Sequence, residues 1–151
     1  MKLSTRGRYG VRLMFDLALN FGKGPIPLKD IAKRQDISEH YLEQLVAPLR
    51  RAGMVTSIRG AQGGYELSKR PEEITVGDII RVLEGPIAPV ECAGMNAPSE
   101  ACDRADRCVA RLIWERLRDS ITSLLDSITL ADMCEDVGKL SGEQDSYMYY
   151  I

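Results

Sequence analysis

The sequence predicts a mainly α-helical protein with a small β-hairpin wing: a winged helix-turn-helix followed by a long dimerisation helix. Three observations predict it. Apolar residues recur at helical spacing between positions 28 and 49. Two short β-favouring runs, 55–58 and 65–68, flank a glycine-rich tip. After a stretch without periodicity, a heptad-like seam begins near residue 109.

Taken in order, Ser4 or Thr5 can cap a first helix with Val11, Met14, Phe15 and Ala18 as its apolar register, ending near Gly22 and Gly24. Leu28, Ile31 and Ala32 give a second helix of roughly two turns. Ser38 offers the next N-cap oxygen, and Glu39 stands where a helix dipole favours an acid. Leu42, Leu45, Val46 and Leu49 then form one buried stripe, which turns His40, Tyr41, Glu43 and Gln44 outward. Pro48 lies inside this third helix and predicts a kink or break, because it cannot donate to the Gln44 carbonyl.

The hairpin has its tip at residues 59–64, where glycines permit positive φ. Beyond it, Thr75 and Asp78 form a capping-box signature, and Val76, Ile79, Ile80 and Leu83 line the next helix until Gly85-Pro86 stops it. Residues 87–105 carry no periodicity. Ala110, Trp114, Leu117, Ile121, Leu124 and Ile128 then alternate steps of four and three, and Ile113 and Leu125 add a second apolar flank. That is more apolar surface than a small domain need cover, which predicts a helix crossing to a partner copy. The expected organisation is a DNA-binding domain over 1–84, a cysteine loop over 85–108, a dimerisation region over 109–134 and a polar, disordered tail over 135–151.

Charge divides along the same line. The net charge of −2 hides 13 Lys or Arg against 6 Asp or Glu in residues 1–70, a balance of +7. Residues 71–151 hold 7 against 16, a balance of −9. A basic front half containing a helix-turn-helix is the electrostatic footprint of a nucleic-acid face. Helix-turn-helix units set the second helix in the major groove, where Ser38, His40, Tyr41, Glu43 and Gln44 can reach base edges or phosphates. Arg59 at the wing base can reach a phosphate or the minor groove. Arg6, Arg8, Arg50 and Arg51 are the candidate phosphate contacts, with Arg12 beside them.

No run of about 18 apolar residues occurs and the N-terminus lacks a signal-peptide core, so a cytoplasmic protein without membrane insertion is expected. An enzyme is not expected. The single histidine, His40, has no motif around it, and no nucleophile–base pattern or phosphate-cradling loop is visible.

Cys92, Cys102 and Cys108 are separated by nine and five residues. Zinc ribbons use close cysteine pairs, which are absent here. The wider spacing is compatible with an iron-sulfur cluster completed by a non-cysteine ligand; the other reading of it is three unligated thiols, one or more of them redox reactive.

Several segments together are similar to one family: residues 1–10 (MKLSTRGRYG), 41–45 (YLEQL), 55–60 (VTSIRG), 63–65 (GGY), 76–78 (VGD), Cys92, Cys108, 112–114 (LIW) and 127–130 (SITL). The chain resembles the IscR-like iron-sulfur cluster regulators, a family of winged-helix repressors, over nearly its whole length. The resemblance implies a homodimer that binds palindromic double-stranded promoter DNA and senses cluster status through a 2Fe-2S cluster on Cys92, Cys102 and Cys108. It implies Ser38, His40, Tyr41 and Gln44 at the groove, Arg59 in the minor groove and Glu43 as the discriminating residue. The sequence departs from that pattern at the fourth ligand. Relatives carry a histidine where Arg111 stands, or use a first-helix side chain near Arg8 and Arg12. Glu91, Asp103, Asp106, solvent and Cys134 remain as donors. Some members of the same family regulate cysteine metabolism without a cluster, which makes a thiol switch or partner site at Cys92 the alternative.

Overall fold

The computed structural model describes residues 2–97 and 102–148, with side chains described as far as residue 141. Helix α1 (Thr5–Leu19) starts where the Ser4 side chain accepts the Gly7 N–H at 3.2 Å. Its buried stripe is Gly7, Gly10, Leu13, Met14, Leu17 and Ala18, with Asp16 among them. Val11 and Phe15 are only half-buried, so the packed face is rotated from the one the apolar residues alone suggest.

Helices α2 (Leu28–Gln35) and α3 (Glu39–Arg51) form the helix-turn-helix. The turn is tight because Asp36 adopts a left-handed conformation, φ 52°, from which the chain passes directly to the N-cap Ser38. Helix α3 continues through Pro48 without a break, which corrects the expected break. The physical reason is packing on both sides of the proline. Leu45, Val46 and Leu49 are all buried, and that burial outweighs one missing backbone hydrogen bond.

Strands β1 (Val55–Ile58) and β2 (Gly64–Leu67) pair antiparallel, Val55 opposite Leu67 and Ile58 opposite Gly64. A third backbone segment joins this wing: Ile26 and Tyr65 exchange both hydrogen bonds, at 2.9 and 2.8 Å. Helix α4 (Val76–Glu84) begins with the reciprocal Thr75–Asp78 capping box and buries Val76, Ile79, Ile80 and Leu83 as expected.

Helix α5 (Val109–Ser127) buries none of its residues against its own chain. It is followed by helix α6 (Leu130–Met148), over a stretch where the sequence predicts a dimerisation region to 134 and a disordered tail from 135. The boundary has two causes. Ile128 is extended, with its carbonyl accepting from Val76 N–H while Leu130 N–H donates to Ile74, and a Thr129–Asp132 capping box then restarts the helix. Leu130 is fully buried, and Met133 and Cys134 pack on the core. Residues 149–151 of the expected tail lie outside the described residues. No described helix is long and apolar enough to cross a membrane.

Candidate nucleic-acid interface and cysteine loop

The first turns of α3 present the residues expected to face DNA. Ser38 is exposed, but its hydroxyl oxygen already accepts the Tyr41 N–H at 3.2 Å, leaving its own proton free to donate. His40, Glu43 and Gln44 are exposed on one face. Gln44 Nε2 lies 3.2 Å from His40 Nε2, and Glu43 lies 3.9 Å from His40 Nδ1, so these three side chains restrain one another. Tyr41 is half-buried: its ring packs edge-on against Tyr9 of α1, centroids 5.9 Å apart. It joins α3 to α1 as well as edging the exposed face.

The expected basic residues fall in three places. Arg6 and Arg8 are exposed on the first turn of α1. Arg8 donates to the Thr5 hydroxyl at 3.2 Å. Arg12 is turned toward the protein: it bonds the Gln35 side chain at 3.3 Å, bonds the Gln35 carbonyl, and lies over the Tyr9 ring. Arg50 and Arg51 close the last turn of α3, where cations complement the helix dipole, and with Glu43, Ala47 and Tyr65 they line a cleft toward the wing. Arg59 is exposed where β1 meets the tip.

Three positioning contacts escaped the sequence reading. Asp16, 2% exposed, accepts two hydrogen bonds from Arg34, at 2.7 and 3.1 Å, and one from Gln35 at 3.0 Å. It fastens α2 to α1. The hydrogen bond from Arg34 pushes the guanidinium further above its ordinary value. A carboxylate inside an apolar register, between Leu13 and Leu17, was the available signal. Glu84 accepts the Ser4 and Gly7 N–H groups at 3.1 Å, capping α1 from the end of α4. A Cβ on Gly7 would collide with that carboxylate, so the glycine permits the cap. Arg81 meets Asp126 through two 2.6 Å contacts, an ion pair joining α4 to α5. These long-range pairings leave no local pattern.

The cysteine loop hangs on α5. All four cysteines are half-buried and free. Cys92 sits in a 3₁₀ turn, Glu91–Ala93, whose Ala93 carbonyl accepts from Arg118 at 2.7 Å. Cys108 is the N-cap of α5, and with Asp106, Arg111 and Glu115 it lines a cavity of about 360 Å³. Arg111, at the position the resemblance assigns to a histidine, donates to the Ala105 carbonyl at 3.4 Å and lies 3.1 Å from Glu115. Cys134 stands apart on the core side of α6, where burial and then Glu72 push its thiol up, so it stays protonated at neutral pH. Among the described residues no three His, Cys, Asp or Glu donors come together as a metal site. The donor chemistry of the loop, soft thiolates with carboxylates at Glu91, Asp103 and Asp106, fits an iron-sulfur cluster, but the thiols are not gathered.

Known proteins share this architecture. The chain is 52% identical to the HTH-type transcriptional regulator CymR of Bacillus subtilis over the full length of both. It is 43% identical to the HTH-type transcriptional regulator IscR of Aliivibrio salmonicida, over 90% of this chain and 79% of the relative. Among solved structures, T. potens IscR superposes with a TM-score of 0.74 at 52% identity, covering 91% of this chain and 88% of that one. These relatives are regulators of transcription rather than enzymes. Residues 3–136 match Rrf2, described as an iron-dependent transcriptional regulator, and with the winged helix-turn-helix and full-length relatives this establishes that the chain belongs to the Rrf2 family of DNA-binding transcriptional regulators.

Proposed function

We propose that this regulator is a homodimer that reads palindromic promoter DNA and controls iron-sulfur cluster biogenesis, sensing cluster status through a 2Fe-2S cluster on Cys92, Cys102 and Cys108. The observation that carries the reading is three free, half-buried cysteines on one loop mounted on α5. Asp106, which shares the cavity beside Cys108, is the fourth donor we assign. A bound cluster would supply a redox-sensitive crosslink between the limbs of the loop. Val109, Leu112 and Leu124 of α5, 75%, 57% and 61% exposed, are the apolar surface a second copy would cover. Two-fold symmetry then sets the half-sites about one DNA turn, or a multiple of it, apart.

At each half-site His40, Glu43 and Gln44 would read base edges, with Ser38 and Tyr41 beside them. Glu43 accepts from cytosine and repels other acceptors, which biases against wrong sites. Arg6, Arg8, Arg50 and Arg51 would hold phosphates, and Arg59 would enter the minor groove. Loop state would reach the heads through α5 and the Arg81–Asp126 pair. The shift is bounded by the cluster's differential affinity for the two arrangements.

A second reading, a thiol-based or partner-dependent cysteine-metabolism repressor with no cluster, is favoured by 52% identity, over the full length of both chains, to CymR, the global cysteine regulator of B. subtilis. Anaerobic absorption with iron and sulfide analysis separates the two. Visible bands with roughly two irons and two sulfides per chain, lost in Cys92→Ala, Cys102→Ala and Cys108→Ala, are expected. Colourless, iron-free protein that still binds DNA would establish the second reading instead.

DNA contact is tested by Arg59→Ala on a palindromic duplex selected from a randomised pool. Affinity should fall about tenfold and the slope of log K against log salt should decrease by about one. Unchanged affinity and slope together would remove Arg59 from the interface.

A further inference from the structure

Helix α5 holds both limbs of the cysteine loop by arginine–carbonyl bonds, and the two are not equivalent. Arg111 reaches Ala105 at 3.4 Å, beside Cys108 at the helix start. Arg118 reaches Ala93 at 2.7 Å, and its side chain is only 14% exposed. Its Nε and Nη2 both lie 2.9 Å from Asp119, which orients the guanidinium so that Nη1 points at the loop. Ala93 itself is fully buried. A guanidinium that is largely out of water and directed at a loop carbonyl is a strong tether, because the bond is charge-assisted and cannot be replaced by solvent in place.

The position of that tether matters for the thiols. Arg118 is ten residues into the helix from Cys108, roughly 15 Å along its axis. An arginine reaches back over the preceding turn, which shortens the separation without closing it. The turn bearing Cys92 is therefore docked on the flank of α5 while Cys108 stands at its N-terminus, in agreement with the absence of a three-donor group among the described residues.

We propose that Arg118 is the positioning residue of the cysteine loop: by holding the Ala93 carbonyl it keeps Cys92 docked on α5 and sets how readily the three thiolates close on a cluster. The role in cluster loading rests on the 2Fe-2S reading; the docking of Cys92 does not. Removing the tether frees the Cys92 turn, so the thiol reacts faster in the cluster-free chain and iron and sulfide are taken up faster.

The test uses full-length protein with Arg118→Gln and Arg118→Lys. In a Cys102→Ser, Cys108→Ser, Cys134→Ala background, the rate of Cys92 with an aromatic disulfide reagent should rise about tenfold in Arg118→Gln. Arg118→Lys keeps a donor but loses the fork on Asp119, so its rate should fall between the two and decides the matter if the glutamine variant does not fold. With all cysteines present, anaerobic reconstitution with ferrous iron and sulfide should develop visible absorption faster in Arg118→Gln than in wild type. Equal Cys92 rates in all folded forms would overturn the proposal, as would slower reconstitution in the freed variant. Faster thiol reaction with no iron retained by any form would keep the docking role and reject the cluster reading alone.

Discussion

Asp16→Ala is expected to destabilise the protein by about 3 kcal/mol, one of the largest effects any single surface-distant substitution should produce here. The carboxylate is 2% exposed and fully engaged, with Arg34 bidentate and Gln35 on one oxygen. Alanine removes all three bonds and leaves the space unfilled. The cost stays near the low end for a broken buried pair because Arg34 is 46% exposed and can turn to water. Against a typical stability of about 5–15 kcal/mol, such a loss leaves little reserve. Urea unfolding followed by circular dichroism measures it. Arg34→Ala should also be costly, since it strands the buried carboxylate. The double variant should cost less than the two single changes together, as residues in one network couple. An Asp16→Ala midpoint within error of wild type would mean that the fastening of α2 to α1 lies elsewhere.

Gly64→Ala is the second. Gly64 has φ 157° at the start of β2, and a Cβ there would run into the backbone carbonyl of Ile26 and the nitrogen of Pro27. Backbone cannot swing aside as a side chain does. The Ile26–Tyr65 pair must therefore open, losing two ladder bonds and the anchor of the wing. About 3 kcal/mol is expected, the upper end for overpacking. Gly60→Ala makes the informative comparison: Gly60 has φ 119° but nothing within 4 Å, so only backbone strain is added, about 1 kcal/mol. Urea midpoints rank the two. Binding to the selected palindromic duplex should weaken for Gly64→Ala more than stability alone explains, because Arg59 rides on the displaced hairpin. Equal midpoints for the two glycine variants would show that the Ile26 contact relaxes freely.

Much of the DNA-facing half was readable because its signals are local. Ser38 caps α3 through an atom three residues from its partner, and Leu42, Leu45, Val46 and Leu49 bury by helical spacing alone. The same holds for the Thr75–Asp78 capping box and the β1–β2 hairpin. The break expected at Pro48 is absent because propensity counts the lost bond and not the packing that retains the helix. The C-terminal reading stopped at a polar stretch, whereas Thr129, Leu130 and Asp132 start α6 and anchor it.

By itself, then, the sequence determined the winged helix-turn-helix, the face of α3 turned outward, the basic front half and the loop that holds three cysteines. Each follows from spacing along the chain, and spacing is what a sequence records. Only the tertiary structure decided how these parts are joined. Asp16 to Arg34, Glu84 to Gly7, Ile26 to Tyr65, Arg81 to Asp126 and Arg118 to Ala93 pair groups 18 to 77 positions apart. Such contacts exist because packing brings distant turns within hydrogen-bond reach, and no local periodicity marks which polar side chain will find which partner.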